Sequence, residues 1–214
     1  LPSEIGRLNR LQDLDLSGNI LEDIPVEIGE IGGLQALNLS DNNIRKLTQS
    51  MGTVLSQLPI KFQENFYGSG LNLYNNPIEE IEEACFAYLD NSELLELAAY
   101  QFDNGNYEMP FMLADTLTHR DPTNPRYWAE MSKYGCFAEE ADAAIMAGKK
   151  ALELSSEGAD PQIYEYLALA YLLDNQVEEA ENVYLSSLTE QVGLTENSEV
   201  LRSEIETGKT RFLQ

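Results

Sequence analysis

One six-residue phrase occurs three times in the first third of the chain. It reads LDLSGN at residues 14–19, LNLSDN at 37–42 and LNLYNN at 71–76, so the copies start 23 and then 34 residues apart. Self-similarity at a short period is typical of solenoids, in which each repeat is too small to bury its apolar face alone and stacks on its neighbours. The sequence therefore predicts stacked repeats at the start of the chain.

Each phrase belongs to a longer unit. In the first complete copy the unit places aliphatic residues and one asparagine at Leu11, Leu14, Leu16, Asn19, Leu21 and Ile24. The Leu-x-Leu segment predicts a short strand whose alternate side chains turn inward. The asparagine is suited to bond backbone groups where the chain turns away from that strand, so we expect Asn19, Asn42 and Asn76 to be structural.

This pattern, with LPSEIGRL at 1–8 and IPVEIGEI at 24–31, resembles the leucine-rich repeat family in its 23-residue form. The resemblance covers residues 1–81. Leu1-Pro2 aligns with Ile24-Pro25, so we expect the first residue to fall inside a repeat, with earlier repeats or a cap upstream.

The late third copy leaves a surplus of residues at 55–70, which we expect to bulge from the convex side or one edge of the solenoid. Residues 76–89 predict a last turn and a short closing amphipathic helix.

The resemblance implies a concave face built from the non-leucine strand positions. These positions form two columns, Asp15, Asn38 and Asn72, then Ser17, Ser40 and Tyr74. We expect Asp15, Asn38, Asn72 and Tyr74 to contact a protein partner, with Tyr74 as the anchor because aromatic residues dominate binding energy at interfaces. The alternative is a face that is simply solvated, because three strands give little curvature.

From residue 91 the apolar spacing becomes helical, and Gly-Asn and Asp-Pro mark the turns. Large residues recur at Leu94, Trp128 and Tyr164, at intervals of 34 and 36 residues, and small residues such as Ala114, Ala168 and Ala180 follow them. This arrangement resembles the tetratricopeptide repeat, a pair of helices in contact through small residues. The predicted units are 91–124, 125–160 and 161–194, and 196–213 is predicted to be a capping helix.

The tetratricopeptide resemblance implies that the first helix of each pair lines a groove. The positions expected to contact a partner there are Leu95, Phe102, Arg126, Lys133 and Leu169. We expect an apolar or amphipathic protein segment, with Arg126 and Lys133 orienting it. The alternative occupant is the chain's own 196–213 helix.

One binding mode of that family grips the acidic carboxyl terminus of heat-shock chaperones with Lys, Asn and Arg side chains. The matching positions in this chain hold Leu95, Ala99, Glu130, Gln162 and Tyr166. None of these supplies a cation, and Glu130 repels a carboxylate. We therefore expect no binding of a chaperone tail.

Composition excludes several other classes of function. The net charge of −24 disfavours nucleic acid as a partner and favours a basic one. Two cysteines are too few for a disulfide framework or a four-ligand zinc site. No apolar run is long enough to span a membrane. The compartment is left open, with the few cysteines and the lack of a visible signal peptide pointing toward the cytoplasm.

Catalytic or cofactor-binding motifs are not evident. The single histidine, His119, lies in a predicted turn, and neither cysteine has a partner in the sequence. GKT at 208–210 fails as a phosphate-binding loop because Ser203 stands where the first glycine belongs. We expect no enzyme activity, no metal and no cofactor.

The sequence predicts an α+β chain by domain, with a short leucine-rich-repeat solenoid over 1–90 followed by an all-α tetratricopeptide-like solenoid over 91–214. Ser92 is the expected cap of the first helix. The predicted function is a non-enzymatic, acidic scaffold that binds a protein or peptide of basic or amphipathic character. The alternative is the substrate-recognition arm of a larger enzyme or secreted effector.

Overall fold

The computed structural model describes residues 1–155 and 159–192, with side chains described as far as Ser187. The predicted capping helix at 196–213 lies outside the described residues. The chain divides into two compact units, Leu1–Asn104 and Gly105–Gln214. Each unit contains its own set of fully buried aliphatic side chains, as separate domains do.

The first unit contains a short strand in each repeat. Residues 1–104 form β1 (Asp13–Asp15), β2 (Ala36–Asn38), β3 (Lys46–Leu47), β4 (Ile60–Lys61), β5 (Gly70–Asn72) and β6 (Glu80–Ile81). One parallel sheet has the order β1-β2-β5-β4, and β3 pairs with β6 in a second. Leu37 lies between Leu14 and Leu71 in the register. The three copies of the sequence phrase are therefore side by side, as the repeat predicts.

Short helical turns return the chain from one strand to the next. They are 3-10 helices at Ser3–Arg7, Val26–Glu30, Gln49–Met51 and Glu83–Ala87, and the single-turn helix α1 (Gly52–Leu55). Leu37, Leu39 and Leu71 are fully buried between these turns and the sheet. Leu14 and Leu16, their counterparts in the first repeat, are only half-buried, since they pack against a neighbouring repeat on one side.

Of the last turn and short closing helix predicted within 76–89, the structure shows a helix over Glu83–Ala87 alone. Glu80–Ile81 forms β6, and Glu82 N donates to the Leu47 carbonyl oxygen at 2.9 Å. Because this pairing keeps the chain extended as far as Glu82, only the five residues of Glu83–Ala87 are left to coil, and they form a 3-10 helix.

The surplus segment at 55–70 supplies an additional strand. β4 pairs in parallel with β5, and Ile60 lies opposite Leu71. The strand that follows β4 in the chain thus inserts between β4 and β2. Of the two expected locations for the surplus, the structure shows the edge of the sheet.

Helix α2 (Asn91–Asp103) covers this edge strand. Its N-cap is Asp90, not the predicted Ser92, because Asp90 and Glu93 form a reciprocal capping box with two hydrogen bonds of 2.8 Å. The second carboxylate oxygen of Glu93 accepts a 3.0 Å hydrogen bond from the Ile60 backbone N–H. Covering an edge in this way prevents pairing with another chain. α2 belongs to the first unit, which ends at Asn104. The domain boundary expected at residue 90 stays a prediction.

The second unit is all-α within the described residues. Its helices are α3 (Glu108–Arg120), α4 (Pro125–Phe137), α5 (Ala141–Leu154), α6 (Pro161–Leu173) and α7 (Val177–Val192). α4 packs against α3, α5 and α6, and α6 also packs against α7. The pairs α4–α5 and α6–α7 correspond to the repeat units predicted at 125–160 and 161–194.

Two glycines allow the close approach of α4, α5 and α6. A Cβ atom on Gly135 would lie 3.0 Å from Ala144 Cβ. A Cβ atom on Gly148 would lie 2.9 Å from Ser132 Oγ and 3.0 Å from Leu167 Cβ. The two glycines therefore set the spacing of these helices.

Candidate functional site

The polar strand positions of the first unit are linked by hydrogen bonds. Asn72 Nδ2 donates to Asn38 Oδ1 at 3.0 Å and to the Gln63 carbonyl oxygen at 2.9 Å. Asn72 Oδ1 accepts from the Gln63 N–H at 3.0 Å. Asn72 is fully buried, so the prediction that it contacts a partner is wrong. The reason is the 55–70 segment, whose backbone lies against it.

Asp15 and Asn38 remain accessible at the other end of the sheet. Asp15 is exposed and Asn38 is half-buried. The Ser17 hydroxyl and backbone N–H donate to Asp15 at 2.7 and 3.0 Å. These hydrogen bonds hold the pKa of Asp15 below its ordinary value. The exposed strand surface is therefore small, polar and negatively charged at neutral pH.

Tyr74, the predicted anchor, belongs to an aromatic cluster within its own unit. Phe62 stacks on Tyr100 of α2 with ring centroids 4.2 Å apart, and Tyr74 lies 6.2 Å from Tyr100. The Tyr100 hydroxyl oxygen accepts a 2.7 Å hydrogen bond from the Asn75 N–H. Burial raises the pKa of Tyr100. The half-buried Tyr74 ring thus packs beside α2, a contact that sequence reasoning missed.

The second unit contains a groove of about 470 Å³ along α4 and α6. The residues that line it are Pro125, Arg126, Ala129, Glu130, Lys133, Ser155, Ala159, Asp160, Gln162, Ile163 and Tyr166. The α4 positions recur at three- and four-residue intervals, which places them on one face of the helix. Arg126 and Lys133 both line the groove, and their contact with a partner stays a prediction.

Opposite charges alternate along the α4 wall of this groove. Lys133 Nζ lies 3.8 Å from Glu130 Oε2 and 4.9 Å from the centroid of the Tyr134 ring. Burial, together with the negative charges of Glu165 and Glu130, raises the pKa of Tyr166. The Tyr166 phenol is therefore neutral at physiological pH and can donate or accept a hydrogen bond.

The predicted apolar contacts do not line this groove. Leu95 and Phe102 are half-buried residues of α2 in the first unit. Leu169 packs against the buried cluster that includes Leu167 and Ala170. The apolar part of the groove is instead formed by Ala129 and Ile163. Of the positions matched to the chaperone clamp, Glu130, Gln162 and Tyr166 are found in the groove.

The cysteine and histidine side chains of the described residues are buried or contact their own helix. Burial raises the pKa of the Cys85 thiol to about 11 and that of Cys136 to about 12. His119 is exposed at the end of α3. Within the part of the chain that the structure describes, no group of three His, Cys, Asp or Glu side chains is placed to hold a metal ion. Every described helix is too short or too polar to cross a membrane.

A family model and similar solved structures each match part of the chain. A leucine-rich repeat family model matches residues 10–31, which contain the first complete repeat. A comparison with curated protein sequences gives no match. Similar solved structures include the first tetratricopeptide domain of Spaghetti (RPAP3) bound to the HSP90 peptide SRMEEVD. That domain is 16% identical, the alignment covers 58% of this chain and 96% of that chain, and the TM-score is 0.44.

A second similar structure is the type III secretion translocator chaperone SycD from Yersinia enterocolitica. It is 19% identical, the alignment covers 58% of this chain and 95% of that chain, and the TM-score is 0.44. The family match thus identifies a leucine-rich repeat in the first unit. The interpretation of the second unit as tetratricopeptide-like rests on the helix pairs α4–α5 and α6–α7.

Proposed function

We propose that the chain is a non-enzymatic protein-interaction scaffold, in which a short leucine-rich-repeat unit is joined to a tetratricopeptide-like helical unit. Its helical unit binds a segment of a partner protein along α4 and α6. The observation that supports this most directly is the groove itself, because successive first helices of two repeat pairs contribute one face each. Repeat architectures of this kind present extended binding surfaces.

The chemistry of the groove suits a peptide. Ala129 and Ile163 provide an apolar floor, while Arg126, Gln162 and Tyr166 provide polar groups around it. A partner segment gains affinity from apolar burial at the centre and orientation from polar contacts at the rim. Asp15 and Asn38 on the first unit form a second, smaller surface that suits a basic partner.

A large side chain placed in the groove is expected to weaken peptide binding. A phage-displayed dodecapeptide library is selected against the whole chain, and recovered peptides are measured by fluorescence polarisation. Ala129→Trp places an indole over the apolar floor, so we expect at least a tenfold loss of affinity, about 1.4 kcal/mol.

The control is Met112→Trp, which puts the same side chain on an exposed position of α3. Its affinity is expected to match that of the parent. If no peptide is recovered, or if Ala129→Trp binds as tightly as Met112→Trp, the proposed function is wrong.

The peptide MEEVD, the acidic part of SRMEEVD that lacks the arginine, is expected not to bind. Glu130 stands on the groove wall between Arg126 and Lys133 and already pairs weakly with Lys133. A carboxylate ligand would therefore meet a like charge inside the groove. Fluorescence polarisation at low and high salt tests this, and micromolar, salt-sensitive binding that Ala129→Trp removes would contradict it.

A further inference from the structure

The α4 wall carries a buried acceptor without a donor. Among the described residues, Glu130 Oε2 is the buried side-chain oxygen that has no hydrogen-bond partner. The Glu130 side chain retains 23% of its exposure, and the residue lines the α4–α6 groove. A buried polar atom without a partner costs about 1–3 kcal/mol, and more when it is charged. Oε2 itself is shut off from solvent, so the carboxylate must rotate for this oxygen to meet a donor that enters the groove.

Lys133 does not supply that donor. Its Nζ atom is 3.8 Å from Glu130 Oε2, which is an ion pair but too long for a hydrogen bond. The same ammonium group lies 4.9 Å from the centroid of the Tyr134 ring, within the range of a cation–π contact. The positive charge of Lys133 thus offsets part of the negative charge of Glu130, but Lys133 donates no hydrogen bond to Oε2.

The charges of the side chains that line the groove balance one another, so the net charge of the whole chain decides which ligands are attracted. The lining includes two cations, Arg126 and Lys133, and two carboxylates, Glu130 and Asp160. Asp160 is already engaged, since its Oδ1 accepts a 3.0 Å hydrogen bond from Gln162 N and caps α6. The chain as a whole carries −24 charges, which raises the local concentration of cationic ligands.

We infer that the α4–α6 groove selects a partner segment with a lysine or arginine side chain, whose N–H group donates a hydrogen bond to Glu130. This inference rests on the proposed function, because it names the chemistry of the segment that the groove binds. A charge-assisted hydrogen bond from such a side chain is about twice as strong as a neutral one. Glu130 is then the residue that determines specificity, while Ala129 and Ile163 contribute apolar contact.

Glu130→Gln separates charge from shape. Glutamine keeps the size of the side chain and a neutral acceptor oxygen, so a partner that donates a backbone or amide N–H retains most of its affinity. A partner that depends on a cation is expected to lose about 10- to 100-fold, the range of a hydrogen bond to a charged group. The matched control is Glu165→Gln, an exposed carboxylate on α6 that does not line the groove.

The probes are the dodecapeptides recovered with the parent chain, together with versions in which each Lys or Arg is replaced by norleucine. We expect one cationic position to be enriched, and its norleucine version to bind parent and Glu130→Gln equally. Glu130→Lys is expected to reject the cationic peptides. Circular dichroism confirms that each variant is folded.

The possible outcomes separate this inference from the proposed function. If peptides bind in a manner that Ala129→Trp blocks, but carry no enriched cation, only the cation selectivity is overturned. The same holds if Glu130→Gln changes affinity no more than Glu165→Gln does. If no peptide binds in the groove, the proposed function fails and the inference falls with it.

Discussion

Leu37→Ala is expected to lower the free energy of unfolding of the first unit by about 2–5 kcal/mol, the range measured for truncating a buried leucine. Leu37 is fully buried and lies between Leu14 and Leu71 in the parallel sheet. Its removal leaves a cavity lined by two neighbouring repeats, and neither strand can shift without losing its register. In a short solenoid the loss at one repeat interface weakens the whole unit.

Leu14→Ala is the matched control, because it removes the same atoms from the equivalent position of the first repeat. Leu14 is half-buried, so its truncation is expected to cost less than that of Leu37. Trp128 is the single tryptophan and lies in the second unit, so its fluorescence cannot follow the first. Hydrogen exchange of the backbone amides at 13–15 and 36–38, measured at increasing denaturant, follows the unfolding of the first unit. Equal costs for the two variants would contradict the stacking model.

The repeat period predicted the parts of the fold that depend on periodic burial. Leu14, Leu37 and Leu71 align because each repeat must bury the same face against its neighbour. The pairs α4–α5 and α6–α7 follow from helical apolar spacing in the same way. These elements are local consequences of pattern, and a single sequence carries enough information to place them.

The contacts that the sequence did not predict join segments that share no repeat period. β4 reaches the sheet edge from an irregular segment, and Tyr100 of α2 meets Phe62 beside it. Nothing in the spacing of Phe62 or Tyr100 indicates this stacking. The segment that carries Phe62 buries Asn72 through the Gln63 backbone, and Tyr100 packs beside Tyr74. Non-local packing of this kind depends on three-dimensional proximity, which a repeat pattern does not encode.

The candidate groove was predicted only in part for a related reason. Arg126 and Lys133 share one face because they lie seven residues apart on α4. The apolar contribution was assigned to Leu169, which turns toward the buried cluster around Leu167 and Ala170. An apolar residue next to both a core and a groove packs into the core, because burial there is more complete.

Asn76→Ala is expected to destabilise the first unit by about 2–4 kcal/mol, because it removes hydrogen bonds in a buried turn. Asn76 Oδ1 accepts from the Ile44 N–H at 3.0 Å, and Asn76 Nδ2 donates to the carbonyl oxygens of Leu39 and Leu73 at 2.8 and 3.2 Å. Asn42 makes the equivalent bond to the Leu21 N–H at 3.0 Å. Each asparagine thus links its own turn to the repeat before it.

The control for Asn76 is Asn19→Ala at the same position of the first repeat. Asn19 is exposed, and Asn19 Nδ2 donates to the carbonyl oxygens of Leu16 and Ser17 in its own turn at 3.0 and 3.1 Å. Its loss is expected to cost less than about 1 kcal/mol, as for an exposed hydrogen bond. Urea denaturation followed by hydrogen exchange of the β2 amides at 36–38 gives both values. If Asn76→Ala and Asn19→Ala were equally mild, the asparagines would contribute little beyond the turn itself, and the repeats would be held together by leucine packing alone.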